Sequence, residues 1–373
     1  MRVLLISHSA ALYGAQRSLY DLALGLKEQR VEVVATVPEK GPLMDLLQKA
    51  RFEVRLLPCR NWVNSRGTYH WARKYLIAQR QARTSAKWVA EERFDVLHTN
   101  SLVTPVGAMV AKRLRLPHIW HVREGMPPAP DYFFLGFDKV RRFIGMTTKT
   151  MVGISEHTCR GMKAFCPDEK IKLIYNGPLD PMLSDRPLPK REIDEEPIRV
   201  LCVGRSSAAK GHDVAARAVA RLRGQGVSAT LTIAGEASPS FVNELAQILP
   251  EGLNNLGFVS DPTELYRTHD VLAMASQEEA FGRVTVEAMA NGCVVLGTAS
   301  GGTPEIIEHK VSGMLFSPGN HETLANLIIE VRSDADLYNA LRENAHRVAF
   351  TRFTRDRYAR EVVEEYSQGL RYA

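Results

Sequence analysis

Short apolar runs separated by amphipathic stretches recur along this chain in two sets, and that rhythm constrains the fold more than any other feature. "RVLLIS", "VEVVATVP", "FDVLHTN" and "PHIWHVRE" make up the first set, and "IRVLCVG", "ATLTIAG", "DVLAMAS" and "CVVLGT" the second. Most read as strands of the buried type, covered on both faces. Between them lie helical patterns, such as Leu19, Leu22 and Leu26 at helical spacing, "VGAMVAKRLRL" and "HDVAARAVARL". Alternating strand and helix implies right-handed crossovers and a parallel sheet. The class is therefore α/β, with two doubly wound, Rossmann-like halves. Their ligands belong at the carboxyl ends of the strands, in the cleft between domains.

The length of 373 residues fits two domains at roughly 150 residues each. "PLDPMLSDRPLPKREIDEEP", from Pro178 to Pro197, is rich in proline and charge and reads as the linker. The sequence thus predicts an N-terminal domain over 1–180, a linker over 181–197, a C-terminal domain over 198–352 and a closing helix over 353–373. The opening "MRVLLISHSAALYG" has too short an apolar run for a signal peptide, and His8 interrupts it; a first buried strand accounts for it. No apolar run approaches the roughly 20 residues that cross a bilayer. Five cysteines without a CxxC pair (Cys59, Cys159, Cys166, Cys202 and Cys293) point to free thiols in a reducing, cytoplasmic compartment.

The net charge of +6 is concentrated. From Arg60 to Lys87 there is no acidic residue, and arginines and lysines mix with Trp62, Tyr69, Trp71 and Tyr75. Two readings fit: a solvated helical face with aromatics partly in the core, or a surface for an anionic membrane or a phosphorylated acceptor. No nucleic-acid-binding module accompanies the charge, so nucleic acid is not expected as a partner.

The second half holds the candidate chemistry. Arg205 and Lys210 in "VGRSSAAKGHD" flank a strand end and a helix start, where a fork of donors and a mobile cation would clamp a diphosphate. Gly301, Gly302 and Thr303 follow "CVVLGT" and allow close backbone approach or an anion-binding nest, besides making a tight turn. In "SQEEAFGRVTVEAMANG", Glu279 lies in the loop before a helix and Glu287 on that helix. Carboxylates so placed accept hydrogen bonds from sugar or ribose hydroxyls, or serve only the helix dipole and a solvated face. Two motifs mislead. "GQGVSA" fits GxGxxA but lies between helix and strand, the reverse of the dinucleotide order. Asp334-Ala335-Asp336 follows Ser333 at a helix start, where capping explains it better than metal.

Taken together, "YGAQRSLYDLALGL", "LIYNGPLD", "VGRSSAAKGHD", "LTIAGEA", "LGFVSD", "EAFGRVTVEAMANGCVVLGTASGGTPEII" and "SGMLF" resemble the retaining GT-B glycosyltransferases of family 4, the glycosyl transferases group 1. The resemblance spans nearly the whole chain and includes the E-x7-E signature; its first half is the looser. It implies a GT-B fold whose C-terminal domain binds a nucleotide-sugar donor and whose N-terminal domain binds the acceptor. The closing helix would cross back to the first domain. Glu287 would bind the ribose and Glu279 the transferred sugar. Arg205 and Lys210 would grip the diphosphate and stabilise its growing charge. Backbone amides at Phe281, Gly282 and Arg283, with Gly301, Gly302 and Thr303, would complete the donor site. Phe258 and Val259 would flank the base, and Gly14 would lie close to the diphosphate. No cofactor and no metal are expected beyond a UDP- or GDP-sugar co-substrate. The acceptor would be a glycan or lipid-linked sugar at the inner membrane face, in cell-envelope polysaccharide or glycolipid assembly.

One departure concerns the His-Asp pair that many family members carry after a strand like "PHIWHVRE". By position it falls on Arg123-Glu124, with His121 two residues earlier, and the sequence leaves open which of His121 and Arg123 serves the donor site. Two other classes compete: a non-catalytic GT-B module binding a sugar nucleotide or a membrane, and a glycoside hydrolase using Glu279 and Glu287. Retaining hydrolases need carboxyls roughly 5 Å apart, which a loop residue and a helix residue rarely achieve.

Overall fold

The computed structural model describes residues 1–59, 61–63, 68–125, 136–189 and 197–371. These divide into two compact units, one of residues 1–177 with 355–373 and one of residues 178–354.

In the first unit, strands β1 (Arg2–Ser7), β2 (Glu32–Val37), β3 (Glu53–Leu56), β4 (Val96–Asn100), β5 (His118–Val122), β6 (Thr150–Gly153) and β7 (Ile171–Leu173) form one parallel sheet in the order β3-β2-β1-β4-β5-β6-β7. Helices α1 (Gly14–Glu28), α2 (Pro42–Lys49), α3 (Thr68–Glu91), α4 (Val106–Leu114), α5 (Gly136–Thr147) and α6 (Glu156–Met162) cover it. The second unit repeats the plan. Strands β8 (Ile198–Val203), β9 (Ala229–Ala234), β10 (Leu253–Asn255), β11 (Val271–Met274), β12 (Val294–Thr298) and β13 (Met314–Phe316) run parallel in the order β10-β9-β8-β11-β12-β13. Its helices are α7 (His212–Gly224), α8 (Pro239–Ile248), α9 (Thr263–Thr268), α10 (Arg283–Ala290), α11 (Thr303–Ile306), α12 (His321–Ser333) and α13 (Ala335–Arg352). The closing helix, α14 (Arg355–Arg371), belongs to the first unit.

The continuous apolar runs follow from burial on both faces. Along β1, Val3 and Leu5 pack in one cluster with Leu19, Leu22 and Leu26 of α1 and Tyr358, Val362 and Tyr366 of α14. Leu4 and Ile6 point the other way, into a cluster with Ala78 and Ala82 of α3 and Val106, Met109 and Val110 of α4. Successive strand residues face opposite sides, so a strand with helices on both sides is apolar at most positions, and its buried polar side chains, such as His98 and Thr99, are hydrogen-bonded. All five cysteines are free, and burial pushes the Cys166 and Cys202 thiols up to about 12.

Part of the expected linker joins the second unit. Arg342 of α13 donates to the Pro189 carbonyl at 2.5 Å, and Leu188 lies against Gly292. Residues 190–196 of that linker, and Arg60, Tyr69 and Trp71 of the acid-free stretch, lie outside the described residues or side chains. "GQGVSA" ends α7, with Gly226 at φ 83°. Asp334 caps α13, its carboxylate accepting from the Leu337 amide at 2.9 Å. Among the described residues no helix is long and apolar enough to cross a membrane.

Candidate active site

In each sheet the connections reverse direction beside the first strand, between β1 and β4 and between β8 and β11. Loops diverge at such a point, leaving room at the carboxyl ends for a ligand. In the second unit the loops after β8, β11 and β12 meet there. Gln277 donates its amide to the Ala209 carbonyl at 3.0 Å, and the Gly302 amide to the Glu279 carbonyl at 2.7 Å.

Two glycines make this meeting possible. Gly211 precedes α7 at φ 69°, and a Cβ there would lie 2.0 Å from the Ala275 carbonyl oxygen. Gly301, at φ 61°, would place a Cβ 2.3 Å from the Glu279 carbonyl oxygen. Both positions combine a left-handed backbone with direct loop contact, so only glycine fits without displacement.

The side chains then pair. Lys210 Nζ lies 2.5 Å from Glu279 Oε1, and Ser276 Oγ donates to the same oxygen at 2.8 Å. Lys210 retains 40% of its side-chain exposure while Glu279 keeps 14%, so the cation is the accessible member. Arg205 is exposed at the end of β8. Glu287 belongs to a second set: Arg283 reaches its Oε1 at 2.9 Å, and Tyr266 donates its hydroxyl to Oε2 at 3.1 Å. The two glutamates share no partner in these bonds, an arrangement unlike an acid–nucleophile pair acting on one atom.

Several expected contacts are restricted to the backbone. The Phe281 ring is buried, 5.6 Å from the Phe353 ring, and Thr303 is wholly buried. Arg283 commits its guanidinium to Glu287. Gly282, at φ 103°, starts α10. Phe258, 58% exposed, and partly buried Val259 follow β10, where the Gly257 carbonyl accepts from the Gly235 amide at 2.7 Å. An open cavity of about 660 Å³ lies on another flank of these loops, lined in part by Ala208, Asp213 and Gln277, and by none of the expected site residues. Among the described residues no three His, Cys, Asp or Glu side chains gather as a metal-binding group.

In the first unit, Gly14 opens α1 on the surface, and a Cβ there would meet nothing within 4 Å. Among the described residues no packing demands glycine at that position. His121 is completely buried; its Nδ1 lies 3.3 Å from His98 Nε2, and His98 Nδ1 is bonded to Tyr366 Oη at 2.7 Å. Burial first, then the nearby Arg123 charge, holds both imidazoles well below the usual histidine range. Arg123, on the same side of the chain two residues on, is only partly buried. Its contacts come from β4, α14 and the loop after β7: Asn100 Oδ1 accepts from Nε at 2.9 Å, Tyr358 Oη from Nη2 at 2.7 Å, and Asn176 Oδ1 from Nη1. Asn176 lies in the quoted "LIYNGPLD", but Asn100 and Tyr358 lie in none of the family motifs, and nothing in the sequence joins the three; only the sheet and the returning α14 bring them together.

The family model described as "Glycosyl transferases group 1" matches residues 185–348, and "Glycosyl transferase 4-like domain" matches residues 13–177. The chain is a group 1 glycosyltransferase. Its two parallel-sheet units are those of the GT-B fold, shared with Anabaena HepE in complex with UDP-glucose at a TM-score of 0.80 and 23% identity over 99% of this chain and 100% of that one. An uncharacterized glycosyltransferase of Methanocaldococcus jannaschii is 27% identical over 74% of this chain and 75% of its own length. A D-inositol 3-phosphate glycosyltransferase of Jonesia denitrificans is 33% identical over 45% of this chain and 42% of its own. The chain therefore spans three quarters of the first relative but less than half of the second.

Proposed function

We propose that this glycosyltransferase moves a hexose, with retention of configuration and without a metal, from a UDP- or GDP-sugar to a glycan or lipid-linked acceptor. The observation that carries the reading is the Lys210–Glu279 pair at 2.5 Å, which joins the loops after β8 and β11 at the sheet's reversal point. A diphosphate arriving there competes for Lys210, whose ammonium has three N–H donors and serves both anions. As the glycosidic bond breaks, charge grows on the departing phosphate, and Lys210 with exposed Arg205 stabilises it. Glu279, held by Ser276 and Lys210, is oriented to accept hydroxyl hydrogen bonds from the sugar. Glu287, steadied by Arg283 and Tyr266, does the same for the ribose. Phe258 offers an exposed ring to the base.

Attachment to the inner face of the membrane belongs to the same proposal, as does a role in envelope polysaccharide or glycolipid assembly. It is supported by the exposed cations Arg73, Arg80, Arg83 and Lys87 on α3 beside Leu76, which is 62% exposed.

The test is thermal stability with UDP-, GDP- and ADP-sugars in the presence of a chelator. A ligand that binds only the folded state raises the melting temperature, so a selective rise names the base. Transfer that survives Glu279→Ala undiminished would remove Glu279 from the donor site, and no rise with any donor would move weight to a non-catalytic module.

A further inference from the structure

Arg123 carries a partly buried charge with no carboxylate on its guanidinium among the described residues. Its neighbour Glu124 is occupied elsewhere. Glu124 Oε1 accepts from Ser101 Oγ and from the Leu102 amide at 2.9 Å, and Oε2 accepts from the Arg123 backbone amide at 2.9 Å. The guanidinium instead touches three neutral oxygens, those of Asn100, Asn176 and Tyr358, and all three of these residues are buried. The adjacent imidazoles of His98 and His121 are neutral and add no counter-charge.

Three fixed partners, from β4, α14 and the loop after β7, remove the rotamer freedom an arginine ordinarily loses on binding. A guanidinium has five N–H donors, so two of them, one on each terminal nitrogen, are left over. Donors on the two terminal nitrogens can serve a planar carboxylate or a phosphate. Asn100 also links this group to α1, since its Nδ2 donates to the Ala15 carbonyl at 3.0 Å in the helix's first turn. That turn contains no acidic residue, so its positive dipole end adds to the field.

We propose that Arg123 recognises an oxyanion carried by the sugar substrate, either the carboxylate of a uronic sugar or the phosphoryl group of a sugar phosphate. The inference rests on the transferase reading and narrows it to an anionic sugar. A rigid, preorganised cation with no carboxylate partner among the described residues is stabilised by an anion and gives a neutral sugar nothing comparable.

A purely structural alternative is that Arg123 only ties α14 and the segment at Asn176 to the sheet. Ligand dependence separates the two. Wild type, Arg123→Gln, Arg123→Lys and Tyr358→Phe would be titrated with glucuronate, glucose 6-phosphate, glucose and UDP. Tryptophan fluorescence and melting temperature would be read at constant ionic strength. All four tryptophans lie in the first unit, so the fluorescence reports that unit alone.

A response to glucuronate alone identifies a carboxylate, and a response to glucose 6-phosphate alone identifies a phosphate. In either case glucose should be silent and Arg123→Gln should weaken binding at least about tenfold. Arg123→Lys should fall between, because it keeps the charge and loses the paired terminal nitrogens. Should Arg123→Gln fail to fold, the lysine variant carries the test. Equal responses in wild type and both Arg123 variants, or none to either anion while UDP still stabilises, would overturn the proposal. If UDP stabilisation is lost in Arg123→Gln while the fold is kept, Arg123 belongs to the diphosphate and the sugar-anion assignment is wrong. Absence of UDP stabilisation in wild type would count against the transferase reading instead.

Discussion

The two units share a sheet plan but manage charge at their strand ends in opposite ways. In the second, opposite charges are already paired: Lys210 with Glu279 and Arg283 with Glu287. In the first, Arg123 sits among neutral oxygens, beside His98 and His121 held uncharged by burial. A paired site exchanges one anion for another and can release its product by re-forming the pair. A rigid cation that meets no carboxylate among the described residues discriminates by charge, because an anion offsets its desolvation more than neutral oxygens do.

Acid gives the largest test of this contrast. His98, His118 and His121 of the first unit are depressed by burial, His118 to about 3, whereas in the second unit His212 is lowered to about 4. A neutral imidazole with a depressed folded value contributes stability that is present above its ordinary 6.5 and is lost as the pH falls towards the folded value. Each such group costs up to about 1.4 kcal/mol per pH unit below that point. Urea unfolding at pH 7 and pH 5 should therefore show a larger loss in the tryptophan signal of the first unit than in the circular dichroism attributable to the second. Equal losses would break the comparison.

Lys210→Ala comes next: turnover should drop about 10²–10³-fold, with the melting temperature nearly unchanged. A small loss of turnover would mean that the pair is structural. Gly211→Ala should destabilise the second unit by at least about 1–2 kcal/mol from the left-handed backbone alone, leaving tryptophan fluorescence as it was. Tyr366→Phe leaves His98 Nδ1 without its partner inside the first unit, and denaturant melts should show a loss of about 1–3 kcal/mol. The smallest effect concerns the membrane. Flotation with anionic liposomes should show binding at low salt that fades by about 0.5 M, since screening shortens the reach of exposed charge; no binding at low salt removes membrane contact from the proposal.

Much of the fold is legible in the sequence because buried parallel strands cannot hide their composition. "RVLLIS" and "CVVLGT" announce β1 and β12, and Leu19, Leu22 and Leu26 the buried face of α1. The short edge strands β3, β7, β10 and β13 give no such signal: they span only three or four residues, and β3, β7 and β10 are partly exposed. The second unit's site is legible for a related reason. Glu279, Gly282 and Glu287 occupy one loop and one helix, so their spacing survives in the chain.

The alternation of strands and helices, the loops that follow them and the residues those loops carry were all readable from the chain, because these depend on local periodicity and turn chemistry. Tertiary structure alone decided which of His121 and Arg123 stays buried. It alone gathered Asn100, Asn176 and Tyr358 around one guanidinium, from positions as far as 258 residues apart between Asn100 and Tyr358. The reason is physical: burial and charge compensation are properties of a neighbourhood, and this neighbourhood exists only once α14 has returned to the first sheet.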